Sequence, residues 1–238
     1  MTGFSNLLQN GREFTNVKTA LQSHALPMGV LGLSAVHKAH YIAALCETLG
    51  KPALVLCPDE GAATRLCEDL NTFAGAAVLY PARDIHLRST ESASREYEQQ
   101  RIGALCNTLN GTCRFLVCSI EAASQRTLPR QELRRRSLHL TVGAEIAPAD
   151  VIAVLLSAGY VRAEQVEGVG QFSLRGGILD LSPPHLSHPL RVEFWGDTVD
   201  SISALTPRPS GAPSKWTTCG SPRRRRCCLT ATTRCCKS

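Results

Sequence analysis

Chemistry would first be sought at Gly32–His40, GLSAVHKAH, a segment ahead of a helical pattern. A P-loop, GxxxxGK followed by Ser or Thr, wraps phosphates in backbone amides and holds magnesium through its hydroxyl. Gly32 and Lys38 keep that spacing, but His37 replaces the second glycine and Ala39 replaces the hydroxyl. The magnesium ligand is therefore missing, and a side chain obstructs a turn that favours bare backbone. No acidic strand end follows, since FLVCSIEAA offers Glu121 alone, two residues past Ser119. The loop is expected to be degenerate, with weak anion binding at the helix start through Lys38 as the residual chemistry. His24, His37, His40, His86, His139, His185 and His188 show no HxxxH or HExxH spacing, and no Ser or Cys sits in a nucleophile elbow. No catalytic residue, resident cofactor or metal site is expected from these patterns.

Recognition chemistry is denser in residues 170–202, GQFSLRGGILDLSPPHLSHPLRVEFWGDTVDSI. Leu190, Val192 and Phe194 alternate with Arg191, Glu193 and Trp195, which gives one apolar strand face and one face with two charges and an indole. Upstream, Phe172, Leu174, Ile178 and Leu181 read as a strand around Gly176–Gly177, a pair expected to bulge or to admit another backbone. Pro183–Pro184 ends that strand and Gly196–Asp197 makes the next turn. Arg175, Arg191 and Trp195 would then project from adjacent strands. Arg offers a rigid fork of donors and Trp a large area with few rotors, so both suit a protein interface better than a solvated strand face.

The amino-terminal half must position the first segment, and it alternates strand and helix. Strands are expected at Gly29–Leu33, Ala53–Cys57, Val78–Tyr80 and Arg114–Ser119. Helices are expected at Ala35–Leu49, Glu60–Phe73, Ser92–Leu109 and, briefly, Ser119–Arg126. This order implies a parallel sheet with right-handed crossovers, an α/β lobe over residues 1–128. A smaller α+β domain follows over 129–207, where Arg134–Arg136 reads as a solvated patch before a strand.

Composition limits the function classes. The formal charge of +6 arises at the end of the chain: eight Lys or Arg and no acid lie from Arg208 onward, leaving 18 basic against 20 acidic groups in residues 1–207. The body therefore lacks the positive excess of a nucleic-acid module. No apolar run is long enough to span a membrane and no signal layout opens the chain, so a cytoplasmic protein is expected. Cys46, Cys57, Cys67, Cys106, Cys113 and Cys118 form no CxxC pair and read as small buried hydrophobes in a reducing compartment. Residues 208–238 change composition abruptly and read as an aberrant, disordered Arg/Cys-rich tail translated out of frame. A zinc site from Cys219, Cys227, Cys228, Cys235 and Cys236, or an Arg-rich nucleic-acid arm, are the other readings.

Three motifs carry a resemblance. GxFxxRGGIxDxxPP at 170–184 and PxRxEFxGDxxDSI at 189–202 occur here in order, preceded by LxxxGYxRxxxVExxG through Leu155, Gly159, Tyr160, Arg162, Val166, Glu167 and Gly170. Together they resemble the UvrB-interaction domain shared by UvrB and the transcription-repair coupling factor (Mfd), and the likeness extends over roughly residues 20–207. The resemblance implies that the first lobe is RecA-like, similar to P-loop NTPases, and that the second domain docks UvrA through Arg175, Arg191 and Trp195. Of the two families, the coupling factor is the better match. Its corresponding module has a degenerate nucleotide loop, and YPARDIHLRSTESASREYEQQRI at 80–102 is too short and too poor in aromatics, with Tyr80 and Tyr97 alone, for the damage-clamping hairpin of UvrB.

The expected function is a non-enzymatic UvrA-recruiting module in nucleotide excision repair. The resemblance implies that ATP, magnesium, RNA polymerase and double-stranded DNA are bound by motor and polymerase-binding domains expected to be absent from this chain. The alternative is a fragment of an ATP-dependent helicase or UvrB-type protein that binds DNA or nucleotide. Because the tail begins where the first domain would be completed, an exposed apolar edge is expected there.

Overall fold

A computed structural model describes residues 8, 11–83, 95–135, 137–207, 216–219 and 226–230. The chain divides into two units, Met1–Leu87 with Asn107–Arg126, and Arg88–Cys106 with Thr127–Ser238. Each has its own apolar core.

The first unit is an α/β layer built on local signals. Helices α1 (Arg12–Gln22), α2 (Ala35–Leu49) and α3 (Glu60–Phe73) precede or alternate with strands β1 (Ala53–Cys57) and β2 (Ala77–Tyr80). Helix α4 (Arg95–Leu109), whose residues 95–106 belong to the second unit, leads into strand β3 (Phe115–Ser119) and helix α5 (Ile120–Ser124). Ser34 caps α2 by accepting from the His37 amide at 3.4 Å, and Asp59 caps α3 by accepting from Ala62 at 2.7 Å. Ala39, Ala43 and Cys46 on α2, with Ala63, Cys67 and Leu70 on α3, are buried at helical spacing. The strands pair in parallel in the order β1-β3-β2. Phe115 and Val117 are fully buried in the core that α2 and α3 cover. Asn71, near the end of α3, accepts from the Ala77 amide at 2.9 Å and donates to the Ala77 carbonyl at 3.0 Å, which fixes the helix to the start of β2. Cys46, Cys57, Cys67, Cys106, Cys113 and Cys118 are buried and form no disulfide.

One expectation fails at the margin of this sheet. The strand anticipated at Gly29–Leu33 does not form: the segment carries no regular structure, and Leu31 is 93% exposed. A five-residue apolar run becomes a strand only if it joins a ladder, and among the described residues this segment pairs with none of the strands of the β1-β3-β2 sheet. Leu54 and Leu56 of β1 are 63% and 55% exposed on the strand face opposite the core.

The second unit pairs helices with a larger mixed sheet. Helix α6 (Arg130–Arg135), strand β4 (Ser137–Thr141) and helix α7 (Pro148–Ser157) lead into β5 (Val161–Arg162), β6 (Gln171–Arg175), β7 (Ile178–Leu181), β8 (Leu190–Trp195) and β9 (Thr198–Pro207). With β10 (Trp216–Cys219) the sheet runs β10-β9-β8-β7-β6-β5, antiparallel except for the β5–β6 pair. A separate two-stranded sheet joins β11 (Arg226–Thr230) to β4. Val151 and Leu155 of α7 pack with Leu140, Phe172, Leu179, Leu181, Leu190 and Val192 into one buried cluster. On β9, Val199 and Ile202 are both buried although three residues apart, a spacing that would put them on opposite faces of a regular strand. The register explains it: Phe194 pairs with Val199 and Glu193 with Ser201, so Asp200 is an extra residue that restores the inward phase.

Gly176–Gly177 forms a two-residue hairpin turn between β6 and β7 rather than a bulge within one strand, while Gly177 does admit another backbone, its carbonyl accepting from the Phe194 amide at 2.9 Å. Arg175 pairs with Ile178, and both glycines take positive φ, 54° and 89°. A type I′ connection requires that of both central residues, and its twist matches that of the flanking strands. The tail also departs from expectation. Its residues 216–219 and 226–230 form strands against β9 and β4, because open sheet edges accept any extended backbone. The remaining tail and the 84–94 stretch expected to lack a damage-clamping hairpin lie outside the described residues, as do the side chains of the five tail cysteines.

Candidate docking face and the degenerate loop

The polar face of the second sheet is set by strand parity. Phe172, Leu174, Leu179, Leu181, Leu190, Val192 and Phe194 belong to the apolar cluster, so their odd or even neighbours face away from it. The registers then align two transverse rows on the outer face, Ser173–Asp180–Arg191–Ser203 and Arg175–Ile178–Glu193–Ser201. Trp195, opposite Thr198 after the bulge, continues the same side of β8. The three predicted docking residues therefore share one face. Strands lie about 4.8 Å apart and same-face residues along a strand about 7 Å apart, so the set spans a patch on the order of 10–15 Å across.

The three differ in environment. Trp195 is 84% exposed at the end of β8. Arg175 is exposed and its Nη2 donates to the Glu164 carbonyl, which also accepts from Ser173 Oγ at 2.9 Å. These bonds hold the 162–164 segment beside β6 and line a shallow cavity of about 550 Å³ with Arg162, Ala163, Glu164, Ser173, Leu174 and Arg175. Arg191 is engaged: its Nε and Nη2 donate to the two carboxylate oxygens of Asp180 at 2.7 and 2.8 Å. Its side chain is 32% exposed and that of Asp180 23%. Hydrogen bonding to Asp180 raises the Arg191 pKa, against the opposing effect of burial, so the cation is held charged. Ser201 donates to Glu193 at 2.9 Å in the adjacent row.

Sequence reasoning missed Asp180, Ile178 and the Glu164 carbonyl. Ile178, 38% exposed, sits between Arg175 and Glu193 in its row and adds apolar area to the face. Reading Gly176–Gly177 as a turn would have paired Ser173 with Asp180. The Asp180–Arg191 pair could not have been read, since the connection from 182 to 189 is too long for its length to fix the register.

The loop at Gly32–Ala39 is placed differently from a phosphate cradle. No strand precedes it, so nothing aims its amides at the sheet's carboxyl edge, where open α/β sheets take ligands. His37 and Lys38 are exposed on the first turn of α2, whereas Ala39 is fully buried in the core. At the carboxyl ends of the strands, polar groups satisfy one another. Glu60 accepts from Ser119 Oγ and from the Ala82 amide at 3.0 Å, while Gln125 accepts from the Arg83 amide at 2.6 Å. Glu121 is exposed in the first turn of α5. Among the described residues, no group of three or more His, Cys, Asp or Glu side chains could hold a metal ion, and no helix is long and apolar enough to cross a membrane.

Residues 138–214 match the family model of the UvrB interaction domain. Over 210 residues the chain is 31% identical to the transcription-repair-coupling factor of Myxococcus xanthus, covering 84% of this chain and 17% of that protein. The corresponding protein of Bacillus subtilis (strain 168) is 27% identical over 208 residues, 86% of this chain and 18% of its own length. UvrABC system protein B of Synechococcus elongatus is 29% identical over 202 residues, 79% of this chain and 30% of its own. The chain thus spans under a fifth of these coupling factors and under a third of that UvrB protein. The face that carries Arg175, Arg191 and Trp195 lies within a segment that matches the UvrB interaction domain, in a chain similar over most of its length to transcription-repair-coupling factors and to UvrB proteins.

Proposed function

We propose that this chain is a UvrA-binding module of a transcription-repair coupling factor, acting in the cytoplasm in nucleotide excision repair. The observation that carries the reading is the convergence of Arg175, Arg191 and Trp195 on one polar sheet face inside the segment that matches the UvrB interaction domain. Arg forks and an exposed indole, ringed by Ile178 and small hydroxyl residues, have the composition of an interface centre. By sharing a docking face with UvrB, such a module brings UvrA to a site and yields it to UvrB afterwards.

In this reading the first unit is a degenerate RecA-like lobe that neither binds nor hydrolyses nucleotide, and the chain needs no cofactor. The buried Ala39 and the absent strand before Gly32 support that part. Translocation on double-stranded DNA and contact with RNA polymerase belong to other parts of the longer relatives.

The test is calorimetric titration of the full chain into purified UvrA, beside an Arg175→Ala/Arg191→Ala variant whose fold is checked by circular dichroism. Loss of one interfacial Arg costs about 2–5 kcal/mol, so affinity is expected to fall at least about 30-fold. No binding by the folded wild-type chain refutes the reading. The likeness to UvrB proteins supports a second reading, nucleotide or DNA binding by the first unit, which saturable binding of a fluorescent ATP analogue would favour.

A further inference from the structure

Arg175 and Arg191 share a face but present different fields. The guanidinium of Arg175 bonds a neutral carbonyl, that of Glu164, and makes no ion pair among the described residues, so no carboxylate in contact offsets its charge. Arg191 is bound side-on by both oxygens of Asp180, its cross-strand partner. Two of its five N–H groups are consumed and three remain, along Nη1 and the outer edge of Nη2. Beyond the Debye length of about 8–10 Å at moderate salt, that pair has little net field, whereas at contact its remaining donors are fixed in direction.

We infer that the two arginines divide the work of docking an acidic partner: Arg175 steers the encounter, and Arg191, aimed and charge-compensated by Asp180, holds the formed complex. Asp180 is then a positioning residue of the interface. This rests on the UvrA-docking reading above. Long-range charge acts on association and its salt dependence, while directional bonds formed at contact act on dissociation.

The experiment is surface plasmon resonance of the full chain on immobilised UvrA at low and moderate ionic strength. Its variants are Arg175→Ala, Asp180→Asn, Arg191→Gln and the double variant Asp180→Asn/Arg191→Gln, each checked by thermal melting. Arg175→Ala removes a net charge and is expected to lower the low-salt association rate about threefold and to flatten its salt dependence. The double variant removes no net charge, so association stays within about 1.5-fold while dissociation accelerates about tenfold or more. Asp180→Asn alone releases a net positive charge; association speeds up about twofold at low salt, and dissociation also speeds up as Arg191 loses its aim. In the Arg191→Gln background, Asp180→Asn adds nothing to the dissociation rate, a dependence that a merely structural role would not produce. An unchanged dissociation rate in the double variant, or in Asp180→Asn, overturns the division while leaving the docking reading intact. Failure of the folded wild-type chain to bind UvrA overturns both.

Discussion

Replacing Gly103 with alanine separates two physical effects by their sign. Gly103 lies inside α4, where a glycine costs about 1 kcal/mol of helix stability relative to alanine, so propensity alone predicts a more stable protein. Packing predicts the reverse. A Cβ at this position would lie 2.4 Å from the Pro184 carbonyl oxygen, 3.0 Å from its carbon and 3.5 Å from the His185 amide nitrogen. All three are backbone atoms, so no side chain can swing aside, and the helix or the turn must shift by about 1 Å to restore ordinary contact. That turn is tied down at its origin, where the Ser182 amide donates to the Gln171 carbonyl at 2.9 Å and the Ser182 carbonyl accepts from the Gly170 amide at 2.8 Å. Overpacking costs about 1–3 kcal/mol, with the upper part of the range appropriate to a backbone contact on both sides. The net expectation is a loss of about 2 kcal/mol. Urea unfolding followed by far-ultraviolet circular dichroism measures it as a lowered midpoint at unchanged slope. A raised or unchanged midpoint would refute the close approach of α4 to the Pro183–Pro184 turn. It would also remove the reason for a glycine at 103.

Two further outcomes test the first unit. Burial, with smaller contributions from Cys113 and Glu68, pushes the Cys67 thiol from its ordinary 9.0 to about 11. Because the folded pKa is the higher one, this stability is fully present below pH 9 and is lost as pH rises toward 11; the urea midpoint should fall by the equivalent of about 2 kcal/mol more in wild type than in Cys67→Ala by pH 10.5. Restoring the P-loop letters through His37→Gly/Ala39→Thr should not create nucleotide binding, because position 39 is inside the core and no strand precedes Gly32. The added atoms at 39 should instead cost about 1–3 kcal/mol, read by thermal melting, and saturable binding of a fluorescent ATP analogue would refute the argument.

Local signals in the sequence were enough for helices Ala35–Leu49 and Glu60–Phe73 and strand Ala53–Cys57, whose caps and periodicity act within a few residues. The alternation of Leu190, Val192 and Phe194 with Arg191, Glu193 and Trp195 likewise fixed which side of β8 would be polar, since strand parity is intrinsic to the chain. The recurring motifs around 155–202 pointed to the UvrB interaction domain, which residues 138–214 match. Tertiary structure decided what depends on a distant partner. The apolar run at Gly29–Leu33 is not a strand, because among the described residues it joins no ladder, and ladder pairing is a tertiary outcome that periodicity does not supply. Val199 and Ile202 both face inward only because Asp200 is extra against β8, an offset visible in the register and nowhere in β9 itself. Asp180 meets Arg191 because an eight-residue connection, 182–189, happens to return β8 at that offset. Spacing along a chain determines how side chains alternate, but which side chains meet across strands is set by where the packed core stops the second strand from sliding.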